Sequence, residues 1–318
     1  MTYRRLGTAD VELSVIGLGG HEFLPDGRPR GFGEDGRLAI TPGHIFPGFG
    51  GQARKEILSC AYDLGVNFLD VTQDSEKEAL GRNLRELPPP HPVYVQTRPE
   101  GMVYAYDENN RKMADYSLLE AEVERILRLV QRDYLDLLNF AFMRSALDAD
   151  PGFLDTIGEN VARLKRTGLI LFTTADTFSG ESTYLRQIAS GHFDVIFVNL
   201  NVGDDAAVER VLPAAHRAGM GVIAREAFMK GRLFAIAEEA GIEDRDAVAA
   251  AAVRWTLSRP GVTSLLIGAA NPEQLRTSVA AAAQAGDAGD ESVIEAIRST
   301  EQYRRFAEQK RDAFLSDE

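Results

Sequence analysis

The chain alternates between short apolar runs and longer amphipathic stretches along its whole length. The apolar runs are rich in β-branched residues, and the stretches between them follow the period of a helix over ten to fifteen residues. Several runs are apolar on both faces, as expected for strands covered by helices outside and packed on side chains inside. Eight such runs occur, at residues 14–19, 67–70, 93–97, 135–140, 170–174, 195–200, 221–224 and 264–268. The alternation predicts eight βα units around a parallel sheet.

A small antiparallel hairpin is predicted ahead of the first unit. Residues 3–5 and 12–13 flank the turn-forming residues 7–10, which is the pattern of two short strands joined by a tight connection. Eight units and a plug predict a (β/α)8 TIM barrel, formed as a single domain by residues 1–318. The amphipathic tail, residues 291–318, is predicted to be an extra C-terminal helix outside the barrel.

One long segment, residues 25–51, breaks the regular alternation. It contains eight glycines and four prolines in 27 residues, a density that argues against a helix or a central strand. The segment follows the first predicted strand, and loops after the strands of a barrel form its catalytic face. A disordered insertion and a substrate lid are both compatible with this position.

Composition narrows the class of partner. The 35 basic and 48 acidic residues give a formal net charge of −13, which repels nucleic acid and anionic lipid. Cys60 is the single cysteine, so an internal disulfide is excluded and a reducing compartment is expected. The chain has no apolar leader and no apolar run of about 18 residues. These features predict a cytoplasmic protein that acts on a small molecule.

An ordered set of short motifs runs through the sequence. They are YRRLG (3–7), IGLGG (16–20), DLGVNFLD (63–70), EALG (78–81), YLDLL (134–138), GRL (231–233) and IGAANPEQL (267–275). In this order they resemble the aldo-keto reductase family over nearly the whole chain. The resemblance implies the barrel fold and reduction of carbonyl compounds with NADPH.

The resemblance also implies a tetrad of aspartate, tyrosine, lysine and histidine, of which this chain keeps one member. Asp70 ends the second predicted strand, as the family's aspartate does. Residues 71–76 contain no tyrosine, Arg98 stands in place of the lysine, and Ala141 stands in place of the histidine. Ordinary NADPH-dependent carbonyl reduction is therefore doubtful, because a lost general acid costs about 10²- to 10⁴-fold in rate.

The cofactor site implied by the resemblance is only half matched. Asp176 and Thr177 replace a serine-asparagine pair that holds the carboxamide, and Phe197 replaces a glutamine. Arg225 replaces the tyrosine that stacks on the nicotinamide. The positions that the resemblance assigns to NADP(H) are Arg225, Lys230, Gly268, Asn271 and Gln274.

The residues after the predicted strands form an unusually charged set for a carbonyl reductase. They are His21, Glu22, Asp70, Thr72, Arg98, Glu100, Asn139, Asp176, Asn201, Arg225 and Glu226. Arg98 and Arg225 are expected either to bind a carboxylate or phosphate, or to pair with Asp70 and Glu226. Asp70, Arg98 and Glu226 are the predicted catalytic residues, with Asp70 or Glu226 left to transfer a proton.

Two further pairs of residues near the predicted strand ends are candidates for acid/base chemistry. His21 and Glu22 resemble a base and its orienting group, but adjacent strand residues point to opposite faces, so at most one of the two is expected to enter the pocket unless the strand has already ended. A histidine that is hydrogen-bonded by its neighbours or faces solvent is the favoured interpretation of His21. Together with Asp70, His21 and Glu22 do not follow a known ligand spacing, and no metal site is predicted. Tyr104 and Tyr106 follow the third predicted strand, where either a substitute acid or ordinary loop packing would account for them.

Three functions are compatible with this sequence. The first is a divergent NADP(H)-linked oxidoreductase with a relocated acid, acting on a small polar or anionic carbonyl or hydroxy compound. The second is a non-redox acid/base enzyme, a lyase or isomerase, on the same barrel. The third is a catalytically silent barrel that binds a ligand or a partner protein.

Overall fold

Eight parallel strands close into a barrel in the computed structural model, which describes residues 1–102, 107, 110–284, 286 and 288–317. The barrel strands are β3 (Ile16–Gly19), β4 (Phe68–Asp70), β5 (Tyr94–Thr97), β6 (Leu135–Phe142), β7 (Ile170–Thr177), β8 (Val195–Asn199), β9 (Gly221–Arg225) and β10 (Val262–Ile267). They follow one another in chain order around the barrel, and β10 closes it by pairing with β3. The predicted (β/α)8 barrel is confirmed.

The hairpin is confirmed as well, with one change of boundary. β1 (Tyr3–Arg5) pairs antiparallel with β2 (Glu12–Ser14), so Ser14 ends the hairpin and does not begin the first barrel strand. Leu6 and Leu13 of this hairpin join the apolar cluster inside the barrel, and the Thr8 N–H donates to the Gly219 carbonyl at the start of β9. The hairpin therefore plugs the end of the barrel at which the strands begin.

Helices follow the strands and cover the outside of the barrel. The first seven are α1 (Phe32–Ala39), α2 (Gln52–Asp63), α3 (Asp74–Glu86), α4 (Arg111–Ala114), α5 (Tyr116–Val130), α6 (Arg144–Ala149) and α7 (Phe153–Arg166). The others are α8 (Glu181–Ser190), α9 (Val211–Arg217), α10 (Arg232–Glu239), α11 (Arg245–Leu257), α12 (Pro272–Ala282), α13 (Ala288–Ser299) and α14 (Glu301–Ser316). Within the part of the chain that the structure describes, no helix is long and apolar enough to cross a membrane.

Residues 25–51, which we call the mouth loop, contain a helix that the sequence argued against. Helix α1 spans eight residues of the loop and is broken at Asp35, where the backbone leaves the helical region, and Gly31 takes a φ of 73° at its N-cap. Arg30 fixes the loop by donating to the Pro47 and Gly48 carbonyls and pairing with Glu22 at 3.2 Å. Glycine and proline content therefore predicted the turns of this loop correctly and its helix wrongly.

The mouth loop lies against the start of α3. The Gly43 N–H donates to Asp74 Oδ2 at 2.7 Å and the Phe46 N–H donates to Ser75 Oγ at 2.9 Å. Because α3 begins four residues after Asp70, these bonds place the loop at the end of the barrel where the strands finish.

The C-terminal tail consists of two helices, where the sequence predicted one. Thr300 interrupts the helical pattern, and its hydroxyl accepts the Tyr303 N–H at 3.2 Å as the N-cap of α14. The Asp317 carboxylate accepts the Gly180 N–H at 2.6 Å, which fastens the end of the tail beside the start of α8.

Candidate active site

The inward positions of the barrel strands change from apolar to polar toward the strand ends. Leu137, Phe197 and Ile223 belong to the apolar cluster inside the barrel. Because strand side chains alternate between the two faces, the residues two positions further along also point inward. These residues are Asn139, Asn199 and Arg225, and the same rule brings Asp70 inward after Phe68 and Asp176 inward after Phe172 and Thr174. A polar site, which we call the mouth, therefore lies on top of an apolar floor.

Asp70 lies in the mouth with a strongly perturbed acidity. The Gln96 side-chain amide donates to Asp70 Oδ1 at 2.9 Å, and the Thr174 hydroxyl donates to Gln96 Oε1 at 2.9 Å. Burial raises the pKa of Asp70 to about 6, against the Gln96 hydrogen bond, and the negative charge of Glu76 adds to this effect. Asp70 therefore exchanges a proton near neutral pH, as an acid/base residue must.

His21 is oriented by Glu76 and not by its sequence neighbour Glu22. His21 Nδ1 lies 2.7 Å from Glu76 Oε1, and the imidazole remains 39% exposed while Glu76 is buried. Glu76 also accepts the Thr72 N–H at 2.8 Å and the Gln73 side-chain N–H at 2.9 Å. Two rigid elements, the end of β3 and the first turn of α3, thus hold the imidazole in the mouth.

The His21–Glu76 pair favours its ionised form. Burial works against the charge of each residue, but their mutual attraction and hydrogen bond outweigh it. The pKa of His21 is raised above its ordinary value of 6.5, and the pKa of Glu76 is lowered to about 2. Near neutral pH the imidazole is therefore able to donate a proton while Glu76 stays a carboxylate.

Arg225 forms a closed ion pair with Asp176. Its two terminal nitrogens donate to the two Asp176 oxygens at 2.8 and 2.9 Å, and its Nε donates to Asn199 Oδ1 at 2.6 Å. The guanidinium stacks on the ring of Phe197 with 4.3 Å to the centroid. The sequence left Asp70, Glu226 or a bound anion as partners of the two arginines, and Arg225 instead makes its bidentate contact with Asp176.

Arg98 belongs to a buried network of charges beside the mouth. Its Nε lies 3.5 Å from Glu100 Oε1, and the same oxygen lies 3.5 Å from Lys77 Nζ. Lys77 also donates to Asp74 at 3.0 Å, and Arg125 donates to Asp74 at 2.5 Å. Burial opposes ionisation of Asp74, but these two cations lower its pKa to about 2. Arg98 is thus directed toward a carboxylate of its own loop.

Glu22 and Asn201 serve the loops around the mouth. Glu22 accepts the Gly50 N–H at 2.5 Å and faces Arg30, so its carboxylate holds the mouth loop. Asn201 donates to the Glu226 carbonyl at 3.1 Å and accepts the Gly203 N–H at 3.0 Å. Both residues stand in the charged and polar set after the predicted strands, and in the structure both make hydrogen bonds to the backbone.

Glu226 and Lys230 lie together on the loop after β9. Lys230 Nζ is 3.3 Å from Glu226 Oε1, and the Lys230 side chain is 75% exposed. Both residues have positive φ, 65° at Glu226 and 56° at Lys230, a conformation that ordinary side chains adopt rarely. This loop leads into the N-terminus of α10.

The predicted nucleotide residues after β10 form the start of α12. Asn271 accepts the Gln274 N–H at 3.0 Å, and Gln274 Oε1 accepts the Ala270 N–H at 2.8 Å. Gly268 lies against Phe23, and a Cβ at this glycine would come within 3.1 Å of that ring. The side-chain amides therefore organise a helix N-terminus, the kind of feature that binds phosphate.

These residues fit the phosphate portion of NADP(H). Lys230 and Arg276, 75% and 53% exposed, place two cations near the N-termini of α10 and α12. At the nicotinamide end, Arg225 offers a flat guanidinium held by Asp176, in place of an aromatic ring. Among the described residues, no three His, Cys, Asp or Glu side chains are arranged to hold a metal ion.

The sequence did not single out Glu76, Gln96 and Thr174, and the structure does not test its two candidate tyrosines. Glu76 carried a signal, because it is an acidic residue only six positions after Asp70, in the first turn of α3. Gln96 and Thr174 lie on predicted strands and carry no local signal of their own. Tyr104 and Tyr106 lie outside the described residues.

Comparison with known proteins agrees with the fold and the motifs. Residues 49–247, more than half of the chain, match the model of the aldo/keto reductase family. The protein therefore belongs to the aldo/keto reductase family, a family of oxidoreductases. A search of curated protein sequences finds no significant match.

Two solved structures show the same architecture. Aldo-keto reductase AKR11C1 from Bacillus halodurans, in its holo form, aligns with a TM-score of 0.70 and 18% identity over 96% of this chain and 99% of that chain. Glycerol dehydrogenase AKR11B4 from Gluconobacter oxydans aligns with a TM-score of 0.67 and 19% identity over 93% of this chain and 95% of that chain. At these identities the likeness shows the fold alone.

Proposed function

We propose that this protein is an NADP(H)-linked oxidoreductase in which His21 takes the proton-transfer role of the missing tyrosine. The single observation that carries the proposal is the 2.7 Å contact between His21 Nδ1 and Glu76 at the mouth of the barrel. The contact orients a partly exposed imidazole whose charge influences Asp70, the residue that matches the family's aspartate. NADPH, when bound, supplies the hydride.

His21 then acts as a general acid in the reduction. Glu76 occupies Nδ1, which leaves Nε2 as the nitrogen that faces a substrate oxygen. The imidazolium donates its Nε2 proton to the carbonyl oxygen as negative charge develops there. Because the ring is 39% exposed, solvent water restores the proton after each turnover. In the oxidation direction the neutral ring takes the proton of the alcohol.

Charge balance in the mouth favours a neutral substrate over an anionic one. Arg225 is neutralised by Asp176 through two short hydrogen bonds, and Arg98 is directed to Glu100. An incoming carboxylate would have to compete with these internal carboxylates for each guanidinium. The Gluconobacter relative is a glycerol dehydrogenase by name, and a small neutral hydroxy compound is also what this mouth suits. We therefore assign a small, polar, uncharged carbonyl or hydroxy compound.

A comparison of two histidine variants tests this assignment. His21→Gln removes the proton donor, and His192→Gln is the matched control because His192 forms a similar pair with Asp155, at 3.0 Å, on the surface. We expect His21→Gln to lower kcat for NADPH-dependent reduction of small hydroxy-carbonyl compounds by about 10²- to 10⁴-fold. The control variant should keep wild-type kcat.

The pH profile supplies a second readout. Reduction by the wild type should decline as pH rises through the raised pKa of His21, because the imidazolium is the acid. The decline should be absent from the residual activity of His21→Gln. Wild-type kcat in this variant would overturn the role of His21.

A non-redox acid/base enzyme is the second candidate. It is favoured by the pKa of Asp70, about 6, next to an ionisable imidazole, since two groups of this kind can move protons on and off a carbon adjacent to a carbonyl. Fluorescence titration with NADPH separates the candidates. Folded protein that binds no NADPH, yet exchanges the α-protons of hydroxyacetone with deuterated solvent, would select the second function.

A further inference from the structure

Asn139 is a buried polar residue of the mouth with an unused hydrogen-bond acceptor. The side chain is 4% exposed, and its Oδ1 has no hydrogen-bond partner among the described residues. Buried polar atoms in folded proteins are nearly always paired, so an unpaired acceptor at a candidate active site indicates a missing donor.

The position of Asn139 directs this acceptor into the barrel. Leu137, two residues earlier on β6, belongs to the apolar cluster inside the barrel, and strand alternation therefore points Asn139 inward as well. The residue above it, Ala141, has only a methyl group where the family resemblance implies a histidine. The Ala141 methyl group offers Asn139 no hydrogen-bond donor.

The residue paired with Asn139 on β7 does not supply the donor. Thr174 is paired with Asn139 across β6 and β7, but its single hydroxyl proton is donated to Gln96 at 2.9 Å. Gln96 in turn donates to Asp70 at 2.9 Å. Asn139 thus lies at one end of a polar layer whose other end is Asp70. The two residues are two strands apart, so the backbones of β4 and β6 are separated by about 10 Å.

We infer that Asn139 selects substrates that carry a hydroxyl group beside the reacting carbonyl, with that hydroxyl donating to Asn139 Oδ1. This inference rests on the proposed function and names its substrate class, an α-hydroxy carbonyl compound and the vicinal diol formed from it. An alkyl group can neither donate to Oδ1 nor accept from the amide NH2, so a compound with an alkyl group in place of the hydroxyl leaves the Asn139 amide buried and unpaired. Sites of this design discriminate strongly against analogues that lack the donor.

Binding of hydroxyacetone and of acetone, followed by ligand-observed NMR, tests the inference without turnover. The two probes differ only in the hydroxyl group. We expect the wild type to bind hydroxyacetone at least about tenfold more tightly than acetone, and kcat/KM with NADPH to show the same preference. Equal affinity for the two probes would overturn the inference.

Three variants locate the origin of the preference. Asn139→Leu removes the acceptor at similar size and should abolish the preference, whereas Asn139→Asp retains an acceptor and should preserve part of it. Thr97→Val is the control, because Thr97 Oγ1 is also buried without a partner but follows the inward Gln96 and points away from the mouth. The control should retain the full preference for hydroxyacetone.

The remaining outcomes separate this inference from the proposed function. Selective binding of hydroxyacetone that depends on Asn139, without any NADPH-dependent conversion, would support the inference and contradict the oxidoreductase. Weaker NADPH binding by Asn139→Leu with an unchanged probe preference would overturn the inference, because the acceptor would then serve the nicotinamide amide. A crystal structure soaked with hydroxyacetone that shows only an ordered water on Oδ1 would overturn it as well.

Discussion

Replacing Asp70 by asparagine should make the protein more stable at neutral pH, although it removes a candidate catalytic group. Burial raises the pKa of Asp70 from its ordinary value of 3.8 to about 6. At 1.36 kcal/mol for each pKa unit, this difference corresponds to about 3 kcal/mol by which ionised Asp70 destabilises the fold. An asparagine at this position is uncharged and still accepts the hydrogen bond from Gln96.

The stabilisation by Asp70→Asn depends on pH in its size, and its sign follows from the raised pKa. Below pH 3.8 the carboxyl is protonated in both the folded and the unfolded chain, so the substitution gains nothing there. Between pH 3.8 and about 6 the unfolded chain ionises first, and the penalty grows until it is complete above pH 6. The variant should therefore gain up to about 3 kcal/mol at pH 7.5 and about 0.5 kcal/mol at pH 4.

Urea unfolding at these two pH values measures the effect, with Asp63→Asn as the control. Asp63 is an exposed residue of α2, and its substitution changes the net charge equally without altering the mouth. We expect the unfolding midpoint of Asp70→Asn to increase strongly at pH 7.5 and only slightly at pH 4, accompanied by a loss of activity. A gain of the same size at pH 4, or no gain at pH 7.5, would refute the reasoning.

Other predictions concern the two ion pairs and the mouth loop. Arg225→Met should lower the free energy of unfolding by about 3–5 kcal/mol because it leaves Asp176 buried without its partner, and combining it with Asp176→Asn should recover much of that loss in urea unfolding. Glu76→Gln should lower the pKa of His21 in an NMR titration, and an unchanged titration would contradict the pairing. Arg30→Ala should speed proteolysis within the mouth loop, since three hydrogen bonds and a stacking contact are lost, while the barrel core stays intact.

The mouth loop shows the limit of composition as a guide to local structure. Its glycines and prolines correctly excluded a long regular element, yet eight residues form α1. This short helix starts after Gly31, which has a positive φ, and is broken at Asp35. Whether such a segment is ordered depends on partners elsewhere, here Arg30, Glu22 and the start of α3. These partners are separated along the chain and carry no mark in the loop itself.

The sequence by itself determined the barrel, the hairpin plug and the position of Asp70 at the end of its strand. These features are local, because strand and helix periods and motif order are properties of neighbouring residues. The tertiary structure alone decided which charges meet. Glu76 stands 55 residues from His21, and Asp176 stands 49 residues from Arg225, so these pairs exist only after the barrel closes. Two side chains pair when the closed barrel brings them close together in space. The order of residues along the chain does not contain that distance.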